Sequence, residues 1–199
     1  MFESLVTLIT TTALLFGSPG PAPLALAATG ATFGVRQGLP FLFGILAGLS
    51  AAIIGATVGL AAFFAAVPSA RFSVQLAGAL YIIFIAYKIA IAPTLDSSDK
   101  STQSPPRFRD GFILNLLNPK AYAAFLAIFS QFILPFSNSI TASAVTGLVC
   151  LIVAAFVDVI WLYLGGQLRP LFEKPKSARL MRVIFAILMI IAVAIVLIK

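Results

Sequence analysis

Long uncharged runs alternate with short polar gaps along the chain. No Asp, Glu, Lys or Arg occurs from Ser4 to Val35, from Gln37 to Ala70, or from Ala121 to Val157. A helix crosses the hydrocarbon layer of a bilayer with about 20 apolar residues at ~1.5 Å each. The runs predict six spanning helices, over residues 4–29, 39–66, 72–92, 111–134, 140–165 and 182–198. Period-two alternation is absent, which argues against a transmembrane barrel. The first run superficially resembles a signal peptide. It carries Glu3 and no basic residue ahead of it, and Gly17-Ser18-Pro19-Gly20-Pro21 interrupts its middle, so it is read as a retained first span.

The polar stretch from Asp96 to Arg109 has the composition of a linker and falls near the midpoint. It divides the chain into a three-span repeat over 1–95, a linker over 96–110 and a second three-span repeat over 111–199. An odd number of spans per half forces the halves into opposite orientations. The first span of each half is interrupted at a matching place, by Ser18-Pro19-Gly20-Pro21 and by Asn118-Pro119-Lys120, and Pro19 and Pro119 lie 100 positions apart. Either break alone reads as an ordinary membrane-helix kink. The two together, with the central linker, predict an all-α fold of two inverted three-helix repeats with a binding site at the breaks.

Proline lacks an N–H and crowds the carbonyl four residues earlier. Pro19, Pro21 and Pro119 are therefore expected to free the carbonyls of Leu15, Gly17 and Asn115. Such a carbonyl attracts an ammonium, a cation or water, because leaving it bare in lipid costs several kcal/mol. The half-helix beginning after each break is expected to present unpaired N–H groups to a carboxylate. Each broken helix then offers something to both ends of a zwitterion.

Lys120 and Asp158 are the charges farthest from any span end. At ~1.5 Å per residue they lie at comparable depths of roughly 11–13 Å, close enough to meet. One reading is a buried structural ion pair. The other gives Asp158 proton coupling or ammonium binding and gives Lys120 anion binding. Asn115 and Asn118 either line the cavity or hydrogen-bond across helices. Gly44-xxx-Gly48, Gly55-xxx-Gly59 and Gly30-xxx-Gly34-xxx-Gly38 read as close helix packing, with part of that surface a candidate homodimer contact. Tyr81, Tyr122 and Trp161 read as packing residues and Cys150 as a small apolar filler.

Composition narrows the function classes. The 199 residues are 61% apolar and 10% charged, against about 25% charged in a soluble domain. The net charge is +7, but the basic residues sit in short gaps and form no nucleic-acid-binding face. Arg36, Lys88, Lys100, Arg107, Arg109, Arg169, Lys174, Lys176, Arg179 and Arg182 fall on one side of the six predicted spans, and Arg71 and Lys199 on the other. The former side is read as cytoplasmic, which puts both termini outside. There is no His and one Cys, so a Cys/His metal site and a disulfide framework are excluded. No cofactor is implied, and an enzyme would need a base beside Ser18 or Ser130 that the sequence does not supply. A metal or inorganic-ion exporter and a non-transporting scaffold are the alternatives to a solute transporter; the scarcity of ligating residues weighs against metal.

The chain resembles the LysE/RhtB amino-acid exporter family. The Pro19-Gly20-Pro21 break, the run Arg109-Asp110-Gly111-Phe112 continuing to Asn115-Leu116-Leu117-Asn118-Pro119-Lys120-Ala121, the Gln131-Phe132 pair, Gly78-Ala79-Leu80-Tyr81 and the position of Asp158 carry the likeness over nearly the whole chain. The resemblance implies six spans in two inverted repeats and proton-driven export of amino acids or derivatives across the bacterial cytoplasmic membrane. It carries site roles onto Pro19, Gly20, Pro21, Asn118, Pro119, Lys120 and Asp158. Two positions depart from the family pattern. Ala22-Pro23 follows the first break, where relatives commonly have a polar residue, and Ala86 stands where the third span often has Gly. The expected partners are a small zwitterionic solute, protons and the lipid bilayer.

Overall fold

A computed structural model describes residues 1–57, 67–91, 104–168, 170 and 175–198. Among these the regular structure is helical: α1 (Phe2–Gly17), α2 (Pro21–Phe33), α3 (Val35–Thr57), α4 (Pro68–Ile91), α5 (Phe108–Leu116), α6 (Pro119–Gln131), α7 (Ser139–Gln167) and α8 (Pro175–Ile198). The end of the second predicted span at 58–66 and linker residues 96–103 lie outside the described residues. So do Lys100, Arg169, Lys174 and Lys199 of the charge argument.

Proline sets where several helices begin. Pro21, Pro68, Pro119 and Pro175 each open one, at the position where a missing N–H costs nothing. That is why the last helix begins at Pro175, well before the predicted residue 182. Asn138 starts α7 by accepting the N–H groups of Ile140 and Thr141 through its side-chain oxygen. Among the described residues, α3 and α7 are each long and apolar enough to cross a membrane. The pairs α1/α2 and α5/α6 qualify only when each is taken as one bent span, with bends of 63° and 58°. The count is thus two, or up to four with the bent pairs.

Helix α2 is buried on every side from Pro21 to Thr32, as an Ala-rich helix without a polar face should be. It touches α3, α4, α5, α7 and α8. The other helices turn large apolar side chains outward, Phe43, Ile140 and Phe156 among them. The closest approaches occur at glycines. A methyl group at Gly44 or Gly111 would strike the main-chain carbonyl of Phe108 or Phe41, so α3 and α5 touch backbone to backbone. Gly30 and Gly165 make the same kind of contact between α2 and α7, against the carbonyls of Leu162 and Ala27. The close-packing reading of Gly30, Gly44 and Gly48 matches these contacts.

Three helix pairings have counterparts with the two halves exchanged. As α3 lies on α5, so α7 lies on α1; as α2 lies on α7, so α6 lies on α3; and α1 meets α6 as α5 meets α2.

Candidate solute site at the helix breaks

At the first break, α1 ends when the Ser18 N–H donates to the Leu14 carbonyl at 3.1 Å. The Ser18 hydroxyl donates to the Leu15 carbonyl at 2.9 Å. Gly20 is fully extended, and its carbonyl accepts from Leu24 in the first turn of α2. At the second break, Asn118 caps α6 by accepting the Lys120 N–H at 3.1 Å. The Asn118 N–H donates to the Asn115 carbonyl at 3.1 Å, and the Tyr122 hydroxyl donates to the Leu116 carbonyl at 2.7 Å. The Asn118 amide also donates to the Asn115 side-chain oxygen at 3.4 Å, while the buried Asn115 Nδ2 has no hydrogen-bond partner among the described residues.

These bonds correct the expected chemistry of the breaks. The Leu15 and Asn115 carbonyls, freed from their helical donors, are taken by the Ser18 hydroxyl and the Asn118 N–H. The half-helix starts offer few bare donors. Pro21 and Pro23 leave Ala22 as the only N–H in the first three residues of α2. In α6, Pro119 has none, the Lys120 N–H is capped by Asn118, and the Ala121 N–H donates to the Asn118 carbonyl. A carboxylate held here needs a side chain.

Lys120 is the cationic side chain at the second break. Its Nζ donates to the Ser18 carbonyl at 2.6 Å and to the Ser18 hydroxyl oxygen at 2.9 Å, joining the two breaks directly. Gly20 makes room for it: a Cβ there would lie 2.9 Å from both Cδ and Nζ of Lys120. Asp158 is buried, with 4% of its surface exposed. Among the described residues it makes no hydrogen bond and closes no ion pair with Lys120, although the two charges are near enough to interact. The ion pair between the fourth and fifth spans, one of the two readings of these charges, is not formed among the described residues.

Together these residues form a polar layer between two apolar clusters. One cluster centres on α2 and includes Phe41, Ile45, Leu114 and Leu162; the other contains Leu8, Leu49, Phe125, Cys150 and Ala154. The chain changes cluster at Ser18–Gly20 in α1/α2, at Asn115–Lys120 in α5/α6, at Asp158 in α7, and at Gly48 in α3. Gly48 faces the Phe112 carbonyl and the Asn115 Cβ. The first broken pair runs from the Leu8 cluster into the α2 cluster, and the second runs the reverse way. Helices α3 and α7 oppose one another in the same manner.

The family model for LysE type translocators matches residues 13–199. The chain belongs to the LysE type translocator family. It is 26% identical over 174 residues to a cysteine/O-acetylserine efflux protein of Escherichia coli O139:H28 (strain E24377A / ETEC), covering 87% of each chain. It is 25% identical, with the same coverage, to proteins so named in Escherichia coli (strain K12) and in Shigella flexneri serotype 5b (strain 8401). No solved structure matches the chain. Family membership and the apolar helices make this LysE-type translocator a multi-pass membrane protein.

Parts of the family-like motif are structural. The Asp110 carboxylate accepts the Arg107 N–H at 2.8 Å and starts α5, and Gly111 admits the α3 backbone. Tyr81 ties α4 to the same turn through a 3.3 Å bond to the Asp110 carbonyl. Trp161 packs against the α2 cluster, and Cys150 is fully buried beside the Thr12 hydroxyl at 3.5 Å. The sequence places Ser18 in the first break but gives its side chain no role beyond that of a nucleophile lacking a base. Its adjacency to Pro19-Gly20-Pro21 was the signal that it holds main-chain and hydroxyl acceptors at the break. Arg182, grouped with the flanking basic residues, is buried, and spacing gave no sign of that. Among the described residues no group of three or more His, Cys, Asp or Glu converges.

Proposed function

We propose that the protein is an exporter of a small zwitterionic amino acid, in the class of cysteine and O-acetylserine, across the bacterial cytoplasmic membrane. The solute sits in the polar layer, where Pro19, Gly20, Pro21, Asn115, Asn118, Pro119 and Lys120 meet. The observation that carries this reading is the Lys120 side chain reaching from one break to Ser18 in the other. A binding site shared by two halves needs its breaks in contact, and isolated kinks do not.

In this reading the six predicted spans form two inverted repeats over 1–95 and 111–199, joined by a cytoplasmic linker, with both termini outside. The matched bends, the exchanged helix pairings and the opposed passage through the two apolar clusters support it. Alternating access then rocks one half against the other about the polar layer. The solute carboxylate meets Lys120, with the buried Asn115 Nδ2 as a further donor. Asp158, the buried carboxylate of α7, takes up and gives back a proton. Proton entry from outside resets the carrier. The relatives' names supply the solute class.

The test is reconstitution. With an acid-outside pH gradient imposed, purified protein in liposomes loaded with labelled O-acetyl-L-serine or L-cysteine releases the label faster than protein-free vesicles, and a protonophore that collapses the gradient slows the release. Flux equal to protein-free vesicles for both solutes and for other small amino acids rejects the exporter. Protonophore-insensitive flux rejects only the coupling.

A further inference from the structure

We propose that the carbonyl and hydroxyl oxygens of Ser18 are the receptor for the solute's ammonium group, a place taken in this structure by the Lys120 ammonium as a tethered stand-in. The inference rests on the solute site proposed above and identifies which cation that site accepts.

The geometry is that of an ammonium site. Nζ of Lys120 contacts the Ser18 carbonyl at 2.6 Å and the Ser18 Oγ at 2.9 Å, the short range of charge-assisted hydrogen bonds. The Ser18 hydroxyl proton is already committed to the Leu15 carbonyl at 2.9 Å. Oγ therefore faces the nitrogen as an acceptor only. Two fixed acceptors select a cation that carries N–H donors. A trimethylated nitrogen has none, and a carboxylate has the wrong charge.

The occupant is built to leave. Lysine has a flexible four-carbon stem, it comes from the opposite half of the chain, and Gly20 leaves its path clear. Exchange of one ammonium for another keeps the charge at Ser18 constant. The displaced Lys120 is left beside two anions, the carboxylate that the solute brings and the buried Asp158. Binding thus moves Lys120 from the first break toward the solute and α7, which gives the loaded carrier contacts that the Lys120–Ser18 arrangement lacks. A solute with an ammonium but no carboxylate competes for Ser18 yet leaves Lys120 without its new partner, so it inhibits and is not carried.

The experiment uses n-propylammonium and tetramethylammonium against labelled L-cysteine counterflow in proteoliposomes. It also measures ligand-induced thermal stabilisation of the detergent-solubilised protein, for wild type and Lys120→Met. In wild type, n-propylammonium inhibits counterflow and tetramethylammonium at equal concentration does not. In Lys120→Met, where the tethered competitor is gone, the affinity for n-propylammonium rises tenfold or more. Equal inhibition by the two cations overturns the receptor, as does an unchanged affinity in a folded Lys120→Met. If that variant does not fold, the wild-type comparison of the two cations decides alone. Wild-type protein that moves cysteine but treats the cations alike loses the receptor and keeps the exporter reading. Protein that moves no amino acid loses both.

Discussion

The ammonium nitrogen of Lys120 lies 2.6 Å from the main-chain oxygen of Ser18, a residue 102 positions earlier in the chain. The bond bridges two helix ends that local sequence would each leave polar and exposed to lipid. It also leaves the buried Asp158 without a closed ion pair. The Lys120 ammonium, a charge able to compensate Asp158, is occupied at Ser18.

Asp158→Asn removes a buried charge while keeping its shape. A charged group that lacks partners costs stability, so the melting temperature in detergent stays level or rises. Transport of labelled amino acid falls, by roughly tenfold or more for a lost interaction of about 1.5–3 kcal/mol. Adding Lys120→Gln does not restore it. Normal flux in the double variant would exclude a role for either charge.

Straightening a break is expected to stop transport without preventing insertion. Pro119→Ala restores the N–H that α5 needs to continue into α6, and with it the option of removing the 58° bend. At the 63° bend Pro21 also lacks the donor, so the matching variant there is the double change Pro19→Ala with Pro21→Ala. Proteoliposome flux drops in both, and membrane-fraction yield does not. Full flux in either variant would separate the bend from the carrier function.

Gly111→Ala pushes a methyl group into the Phe41 carbonyl, and Gly165→Ala does so into the Ala27 backbone. Each destabilises by about 1–3 kcal/mol, as overpacking does, and lowers the melting temperature. Gly17→Ala is the contrast: nothing lies within 4 Å of the added carbon. There the gain in helix propensity, up to about 1 kcal/mol, holds or raises the melting temperature. A flat response across the three positions would contradict the close crossings.

Tyr122→Phe removes the hydroxyl that satisfies the Leu116 carbonyl at 2.7 Å. An acceptor left bare in an apolar setting costs about 1–2 kcal/mol. Thermal unfolding of the purified variant reads the loss, and Tyr163→Phe, on an exposed side chain, serves as the null comparison.

Much of the fold was legible because membrane helices are written in composition. Uncharged runs marked where helices lie, and proline marked four of their starts. The break positions were read correctly at Ser18–Pro21 and Asn118–Lys120, since proline's missing donor acts locally. Hydrogen-bond partners at the breaks were less legible. That the Ser18 hydroxyl serves Leu15, or that Tyr122 reaches back to Leu116, depends on rotamers and backbone directions that residue type does not specify. The loss of anion-binding N–H groups at the start of α2 was readable from Pro21 and Pro23 alone.

By itself, the chain's covalent order determined that the protein is apolar, helical and interrupted at Ser18–Pro21 and at Asn118–Lys120, because hydropathy and proline geometry are properties of single residues and their near neighbours. Only the packed structure decided which groups meet. It took Lys120 to Ser18 and not to Asp158, and it made Gly44, Gly111, Gly30 and Gly165 crossing points. It also gathered Ser18, Asn115, Asn118, Lys120 and Asp158 at the seam of two apolar clusters. Those outcomes depend on the relative placement of distant helices, which side-chain volume and backbone approach set jointly, and which no stretch of sequence encodes alone.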